Sequence, residues 1–515
     1  MLTLSPARSL SVVCLALLAS LAGSPCGAQP LQGEIDRLVG SAKTGKARIG
    51  VCLIDVRTGE LLAGHRETEA FVPASNQKIL STGAALWVLK PGFEYQTEFR
   101  LDGDRLVIVG SGDPAFGDPE ILQQMSPKVT VSELLSTLAK GVTHAGVKEL
   151  SEIVVDDRIF DREFVHPTWP VEQLDKWYCA EVSGLIFHAN VLDVYPRPAS
   201  AGQRPSAVFE PDTQIIELDT SRARTVTNGN NTVWLRRDPK GNRFQMLGDV
   251  RSSVTKPVQV TLTDNPLFFG QIFAERLERE GVRIGTTPTP GGGREQAAVR
   301  VADPAEAVSS GRTVAIVKTP LKDVVRRCNV ESHNLYAEAL LKRIGRDVTG
   351  QSGSWETGSS VLRMLITEKL GPDAAKSTVI RDGSGMSREN RIAPATMARW
   401  LVALGKDEAV GQTFMDSLPK PGEGTLEKRF RSNPPRHLVR AKSGYIRNVR
   451  ALSGYVIDTE DKHAVAFAIL ANDVPGGEED GVVLQLHEQI VGAVDRYLSR
   501  DDPKPVNEKP SRRSR

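Results

Sequence analysis

The chain has 515 residues, of which 40% are hydrophobic, 25% charged and 5% aromatic. This ordinary globular composition excludes collagen, coiled-coil and wholly disordered chains, and the length allows two to four domains of roughly 100–200 residues. With 65 Lys and Arg against 63 Asp and Glu, the net charge of +2 gives no reason to expect a nucleic-acid partner.

The N-terminus has the pattern of a secretory signal peptide. Arg8 precedes an apolar run over Leu10–Ala22, and the small-residue stretch 26–28 follows. We predict that residues 1–28 direct export across the inner membrane and are then cleaved, and we expect the mature protein to be periplasmic. The apolar run is short for a membrane span, which leaves an uncleaved anchor as the weaker alternative. We therefore expect at most peripheral contact with a membrane.

Three cysteines remain after this cleavage, namely Cys52, Cys179 and Cys328. An odd number of widely spaced cysteines does not form a disulfide framework, and we predict buried thiols, with one disulfide as the alternative. The sequence has no C-x-x-C or H-E-x-x-H pattern, and its eight histidines are scattered. It therefore predicts neither a metal site nor a cofactor.

The mature chain begins with the pattern of a β-hairpin followed by a helix. Apolar residues alternate over 48–55, a turn follows at 57–59, and apolar residues resume at 61–63. Residues 77–89 are rich in Ala, Leu and Ile, which indicates a buried helix. In the middle of the chain we predict strands at Leu106–Val109 and Ile153–Val155 and a helix at Val131–Ala145. The segment Val208–Thr263 is predicted to be mostly β.

The C-terminal part has a helical pattern followed by three strands. The predicted helices are Leu321–Arg327, Leu335–Ile344 and Ser359–Lys369, and the predicted strands are Leu438–Gly444, Ala451–Asp458 and His463–Ala471. An amphipathic helix then runs from Gly481 to Leu498. Residues 499–515 are basic and rich in proline, without a core pattern, and are predicted to be disordered.

These elements predict an α/β (α+β) fold with one antiparallel five-stranded sheet. The N-terminal hairpin would supply two strands and the C-terminal meander three, with helices packed against them. Residues 29–97 and 312–498 would then form one discontinuous domain. The segment 98–311 would be a large, mostly β insertion.

The first candidate for chemistry is Ser75-Asn76-Gln77-Lys78, at the start of the first predicted helix of the mature chain. The spacing i, i+3 places Ser75 and Lys78 on one helix face. A serine hydroxyl needs a base to become a nucleophile, and a lysine serves only when burial or another cation lowers its pKa. The same S-x-x-K pattern at Ser253 and Ser417 lies near prolines, which are unfavourable in a helix. Taken alone, Ser75 is better explained as a helix cap, with Lys78 solvated.

Two further short motifs follow in the sequence. Ser332-His333-Asn334 precedes a predicted helix, so that a hydroxyl that can relay a proton and an amide that can bind a carbonyl could face one cleft. Lys442-Ser443-Gly444 lies on a predicted strand, where a cation and a hydroxyl could receive a carboxylate, and glycine would let a substrate backbone approach. Each motif alone is also explained structurally, but their order and context together are specific.

The three motifs resemble the S-x-x-K, S-x-N and K-T-G set of penicillin-binding proteins and serine β-lactamases, with Ser443 in place of threonine. The long spacing between the first two motifs, together with Gly110–Pro114, Val155–Asp157 and Asp382–Asn390, is similar to the class C low-molecular-mass penicillin-binding proteins. These are D-alanyl-D-alanine carboxypeptidase/endopeptidases of the penicillin-binding protein 4 type. The resemblance implies a β-lactamase/transpeptidase-like domain with an inserted domain II that carries a nested domain III.

The resemblance also implies roles for individual residues. Ser75 would be the acylated nucleophile, Lys78 its base, and Ser332 the proton shuttle. The implied substrate-binding residues are Asn334, Lys442, Ser443, Gly444 and Tyr445, and the backbone N–H groups of Ser75 and Tyr445 would form the oxyanion hole. The implied partners are peptidoglycan stem peptides, with β-lactam antibiotics as covalent inhibitors.

Three functions remain open at this point. The first is a serine-type D-Ala-D-Ala carboxypeptidase and/or endopeptidase that acts through an acyl-enzyme. The second is a β-lactamase or esterase on the same framework, and the third is a non-catalytic protein that binds peptidoglycan. The intact motifs and the large insertion favour the first.

Overall fold

The computed structural model describes residues 28–239, 241–288 and 295–501. The predicted signal peptide lies outside the described residues, apart from Ala28, which begins the first helix. Residues 499–501 of the predicted tail continue the last helix, and residues 502–515 lie outside the described part of the chain.

Twelve α-helices are found in the described ranges. In chain order, α1 to α12 are Ala28–Ser41, Gln77–Leu89, Pro119–Leu122, Val131–His144, Asn265–Arg279, Leu321–Val330, Asn334–Thr349, Trp355–Leu370, Pro372–Lys376, Pro394–Lys406, Gly411–Ser417 and Glu478–Asp501. No helix in this part of the chain combines the length and apolar character needed to cross a bilayer.

Twenty β-strands are found in the same described ranges. In chain order, β1 to β20 are Arg48–Asp55, Leu61–His65, Glu94–Asp102, Arg105–Val109, Glu149–Leu150, Glu152–Asp156, Val191–Arg197, Ser206–Glu210, Glu217–Thr225, Trp234–Arg237, Arg243–Val250, Val258–Thr261, Arg283–Ile284, Thr286–Thr287, Gln296–Ala297, Val299–Val301, Arg312–Pro320, Leu438–Ile446, Val449–Asp458 and His463–Asn472.

The predicted antiparallel five-stranded sheet is confirmed. Its strand order is β18-β19-β20-β1-β2, so the N-terminal hairpin joins the C-terminal meander. The junction is the antiparallel pairing of β1 with β20, which runs from Arg48 opposite Asn472 to Asp55 opposite Val465. Every residue of β20 is buried, because helices cover both faces of the sheet.

The two faces follow from the alternation of side chains along each strand. On β1, Val51 and Leu53 pack into a core that includes residues of α1 and α12. Their neighbours Cys52 and Ile54 point to the opposite face, into a core that includes residues of α2, α7, α8 and α10. The first core lies between the sheet and helices α1 and α12. The second core contains residues of α2, the helix that follows Ser75.

The middle of the chain is built on a second five-stranded sheet, of order β16-β6-β4-β3-β17. Here β3 pairs antiparallel with β17, so the predicted boundaries at 97/98 and 311/312 fall on two neighbouring strands. The core of this second sheet includes residues of α4 and α5. Two three-stranded sheets, β10-β11-β9 and β12-β7-β8, lie between β6 and α5 in the chain. The mostly β character predicted for 208–263 is confirmed, and α5 is a helix that the sequence reading missed.

Cys52, Cys179 and Cys328 are buried free thiols, as predicted. Burial raises the pKa of each of them to about 12. They therefore act as small apolar side chains and not as reactive thiolates.

The central position of β1 generates a stability prediction. Leu53 is fully buried opposite Phe467, whereas Leu61 on the same hairpin is 50% exposed at the sheet edge. We expect Leu53→Ala to lower the free energy of unfolding by about 2–5 kcal/mol, because it leaves a cavity between β1 and its covering helices. Leu61→Ala is the matched control and should change it by less than about 0.5 kcal/mol. Equal effects in denaturant titrations would contradict this packing.

Candidate active site

The nucleophile candidate lies in a tight turn at the start of α2. Ser75 is part of the 3₁₀ helix Ala74–Asn76, which leads directly into α2. Ala74 has a φ of +47°, and its carbonyl oxygen lies so close to Gly385 that a Cβ atom at 385 would stand 1.8 Å from it. Glycine is required at 385 because the 382–390 loop packs directly on the turn that presents Ser75.

Asn76 fixes this turn to the edge of the first sheet. Its side-chain Nδ2 donates to the carbonyl oxygen of Lys442 on β18 at 2.6 Å, and its Oδ1 accepts from Ser453 Oγ on β19 at 2.8 Å. Asn76 is fully buried, so both bonds form away from water. They hold the serine turn beside the strand that carries the third motif.

Lys78 is fully buried one turn after Ser75. Its Nζ donates to Ser75 Oγ at 3.2 Å and to Asn334 Oδ1 at 2.7 Å. A third bond, at 2.9 Å, reaches the carbonyl oxygen of Ser384. Burial lowers the pKa of Lys78 to about 8, although the charges of Glu338 and Asp382 act in the opposite direction. Lys78 can therefore lose its proton near neutral pH and accept one from Ser75.

In the second motif, Asn334 contacts Lys78, and Ser332 lines the cleft that contains Ser75. Asn334 begins α7, and its Nδ2 donates to the carbonyl oxygen of Tyr178 at 2.9 Å while its Oδ1 accepts from Lys78. Ser332, with a φ of +60°, is half-buried in the turn before α7 and lines the same cleft as Ser75.

The third motif forms part of the opposite wall. Ser443 and Tyr445 line the cleft, but Lys442 is fully buried behind it and donates to the carbonyl oxygen of Ser443 at 2.8 Å. Burial, and then the charge of Lys78, hold the pKa of Lys442 well below its ordinary value. A Cβ atom on Gly444 would stand 3.0 Å from the carbonyl oxygen of Pro73. Glycine thus lets β18 pack against the serine turn, a reason additional to substrate approach.

The cleft has a volume of about 840 Å³, which suits a peptide segment. Besides Ser75, Ser332, Asn334, Ser443 and Tyr445, its walls include Thr168, Pro170, Glu172, Gln173, Trp177, Tyr178, Gly385, Met386, Arg388, Glu389 and Arg447. The structure thus brings five of the eight predicted site residues to one cleft. Lys78, Lys442 and Gly444 lie directly behind its walls.

A buried carboxylate that the sequence reading missed supports Lys78 from behind. Glu338 on α7 accepts from the backbone N–H groups of Gly383 and Ser384, each at 2.8 Å, and from Trp355 Nε1. Burial, and then the charge of Asp382, raise the pKa of Glu338 to about 7. These bonds fix the Ser384 peptide, whose carbonyl faces Lys78. The sequence feature that could have revealed this role is the position of Glu338 among apolar residues of the predicted helix Leu335–Ile344.

The 382–390 loop is organised by a second buried carboxylate. Asp382 accepts from the backbone N–H groups of Gly385 and Ser387 and from Asn390 Nδ2, and its Oδ2 also accepts from Trp169 Nε1. These bonds join the loop residues to the Asp382 side chain and keep Gly385 against the serine turn. The sequence reading noted this segment without giving it a role.

The comparison with protein families agrees with this arrangement. A family model covers residues 31–496 of the chain, from α1 into α12. The chain belongs to the D-Ala-D-Ala carboxypeptidase 3 (S13) family. The resemblance found in the three motifs is therefore confirmed, and the chain is a serine peptidase of this family, a group of D-Ala-D-Ala carboxypeptidases.

Two curated relatives of this S13 member have matching descriptions. A D-alanyl-D-alanine carboxypeptidase of Actinomadura sp. (strain R39) is 29% identical over 486 residues, which cover 89% of this chain and 84% of the relative. The D-alanyl-D-alanine carboxypeptidase DacB of Haemophilus influenzae is 22% identical over 463 residues, covering 84% and 87%. The crystal structure of penicillin binding protein 4 from Haemophilus influenzae shares the fold, with a TM-score of 0.70 and 18% identity over 90% of this chain and 99% of that one.

The lowered pKa of Lys78 generates a prediction about pH. If neutral Lys78 accepts the Ser75 proton, the rate constant for acylation by a penicillin should rise about tenfold per pH unit below 8 and level off above it. The measurement is the second-order acylation rate between pH 5.5 and 9.5. Lys78→Arg, which cannot deprotonate in this range, should be acylated at least about a hundredfold more slowly. A rate independent of pH would contradict Lys78 as the base.

Proposed function

We propose that Ser75 is the nucleophile of a D-Ala-D-Ala carboxypeptidase and endopeptidase that acts on peptidoglycan stem peptides. The observation that carries this assignment is the contact of Ser75 Oγ with the fully buried amine of Lys78. A lysine in water is protonated at neutral pH, whereas a buried one with a pKa near 8 supplies a base. Membership of the S13 family supports the choice of substrate.

Acylation begins with proton transfer from Ser75 Oγ to neutral Lys78 Nζ. The Oγ atom forms a bond with the carbonyl carbon of the penultimate D-Ala, and the carbonyl electron pair moves onto oxygen. The backbone N–H groups of Ser75 and Tyr445 are the proposed donors to this oxyanion, since both residues line the cleft. When the C–N bond breaks, Ser332 gives its proton to the departing amine and is reprotonated from the lysines.

Deacylation by water regenerates Ser75. Water attacks the ester carbonyl, its proton passes to Lys78, and the Ser75–carbon bond breaks with return of a proton to Oγ. If the departing amine was a terminal D-Ala, the net reaction is that of a carboxypeptidase. If it belonged to a cross-linked peptide, the net reaction is that of an endopeptidase. A β-lactam would acylate the same oxygen, and its ring-opened amine would stay attached to the acyl group.

Substrate binding is assigned to the two walls of the cleft. The Asn334 side chain is fixed at both ends, by Lys78 and by the Tyr178 carbonyl, and so keeps one orientation toward a bound peptide. Ser443 would donate its hydroxyl to the terminal carboxylate. Lys442 lies behind Ser443, and a carboxylate in the cleft would favour its charged form.

The location and the domain division belong to the same proposal. The pattern of residues 1–28 and a peptidoglycan substrate both fit export to the periplasm. Residues 29–97 and 312–498 would form the catalytic domain, and 98–311 an inserted domain II with a nested domain III. The pairing of β3 with β17 supports this division, because the insertion leaves and returns at adjacent strands.

The assignment of Ser75 predicts where a penicillin reacts. A labelled penicillin should acylate Ser75, identified by mass spectrometry of the modified peptide, and Ser75→Ala should abolish both labelling and release of D-Ala from purified peptidoglycan. Ser253→Ala is the matched control, because Ser253 has the same S-x-x-K spacing but is exposed in a loop far from α2 in the chain. Labelling that persists in Ser75→Ala would refute the assignment. Labelling without any release of D-Ala or cleavage of cross-links would instead contradict the proposed substrate.

The buried position of Lys442 predicts a dependence on the substrate's charge. We expect Lys442→Met, which keeps the volume of the buried stem, to lower kcat/KM for a peptide with a free carboxylate by roughly ten- to a hundredfold. The basis is that a charge-assisted hydrogen bond is worth about 1.5–3 kcal/mol. A neutral thioester should lose less. Exposed Lys420→Met is the control. Equal losses for both substrates would assign Lys442 to proton relay instead of carboxylate binding.

A further inference from the structure

Two carboxylates face each other across neighbouring strands far from the three motifs in the chain. Asp193 on β7 lies directly opposite Glu210 on β8 in the antiparallel register. Residues paired in this way point to the same face of the sheet, and like charges placed there repel. Among residues 28–239, 241–288 and 295–501, neither carboxylate forms a salt bridge with lysine or arginine. Within these ranges the pair therefore has no lysine or arginine partner that would offset this repulsion.

A histidine completes the cluster. His188, in the turn just before β7, is 1% exposed, and one ligand atom from each of His188, Asp193 and Glu210 lies within 4.8 Å of the other two. The His188 Nδ1–H can donate to the carbonyl oxygen of Val191 at 3.1 Å, which leaves the lone pair on Nε2. This Nε2 is buried and has no hydrogen-bond partner in the described part of the chain.

We propose that His188, Asp193 and Glu210 bind a divalent transition-metal ion, for which Zn²⁺ is the probe. One imidazole nitrogen and two carboxylates are a donor set that zinc accepts, and the ion would offset the repulsion of Asp193 and Glu210. Ligand atoms about 2.0–2.2 Å from a tetrahedral ion stand about 3.4 Å apart, so small side-chain rotations would close the three donors around it.

The surrounding groups resemble those that orient metal ligands. Gln259 on β12 lies directly opposite Asp193, and its Nε2 donates to Asp193 Oδ1 at 2.8 Å, which leaves Oδ2 available for an ion. The Val191 carbonyl fixes the His188 ring in the same way. Such outer partners set the tautomer and direction of ligands.

A cavity reaches Glu210, one of the three proposed ligands. It has a volume of about 270 Å³ and is lined by Glu210 and Tyr195, among others. A water molecule from this side could take the fourth coordination position. None of the three proposed ligands lines the cleft at Ser75, so the metal would fasten the turn before β7 to β8 and take no part in acyl transfer.

The test is zinc binding to the metal-free full chain by isothermal titration calorimetry. The wild-type protein should bind one Zn²⁺ per chain and unfold at a higher temperature with it. Asp193→Asn, Glu210→Gln and His188→Gln should each weaken binding by at least the roughly 10–100-fold that loss of an outer partner costs. The matched control is Asp219→Asn, since Asp219 also faces a donating glutamine, Gln245, across a strand pair. It should bind zinc as the wild type does.

Two outcomes would overturn the proposal. One is a wild-type chain that takes up no stoichiometric Zn²⁺, and the other is unchanged affinity in Asp193→Asn or Glu210→Gln. Glu210 is only half-buried, so Glu210→Gln keeps the test valid even where a fully buried variant fails to fold. Mg²⁺ should bind at least about a hundredfold more weakly, because imidazole favours transition metals. Equal affinity for both ions would contradict the role of His188.

Discussion

The organisation of the catalytic region depends on the burial of one lysine amine, that of Lys78. Lys78 Nζ is held by three acceptors, Ser75 Oγ, Asn334 Oδ1 and the Ser384 carbonyl, which come from three distant parts of the chain. Burial removes the amine from water and disfavours its ammonium form. The protein must therefore supply the hydrogen-bond partners that water would otherwise provide, and each acceptor must be placed accurately. The serine turn, the start of α7 and the 382–390 loop are therefore joined at a single atom.

Much of the surrounding structure can be understood as support for these three acceptors. Glu338 fixes the Ser384 peptide, Asp382 closes its loop, and Asn76 fastens the serine turn to the sheet. Each is a buried polar group whose bonds are satisfied within the protein, as burial demands. The glycines at 385 and 444 let backbone segments approach where a side chain would collide. The supporting groups are thus as tightly specified as Ser75 and Lys78.

The parts of the fold that the sequence predicted are those set by local periodicity. The alternation over 48–55 and the three strands predicted near the C-terminus led to the correct sheet, and the i, i+3 spacing placed Ser75 and Lys78 on one face. Helices α5 and α10 were missed, since each has a proline in its first turn, where proline fits a helix but also signals a loop. The roles of Glu338 and Asp382 depend on distant partners that no local pattern reveals.

The pairing of β1 with β20 also constrains when the protein can become active. Arg48 lies opposite Asn472, so the central strands of the first sheet come from opposite ends of the chain. Contacts of such long sequence separation form slowly, because the loop between them must close before the pairing is rewarded. An incomplete chain can form α2 but has no β18 or β19 against which Asn76 can hold the serine turn. The two hydrogen bonds that hold the serine turn can therefore form only after the last strands have entered the sheet.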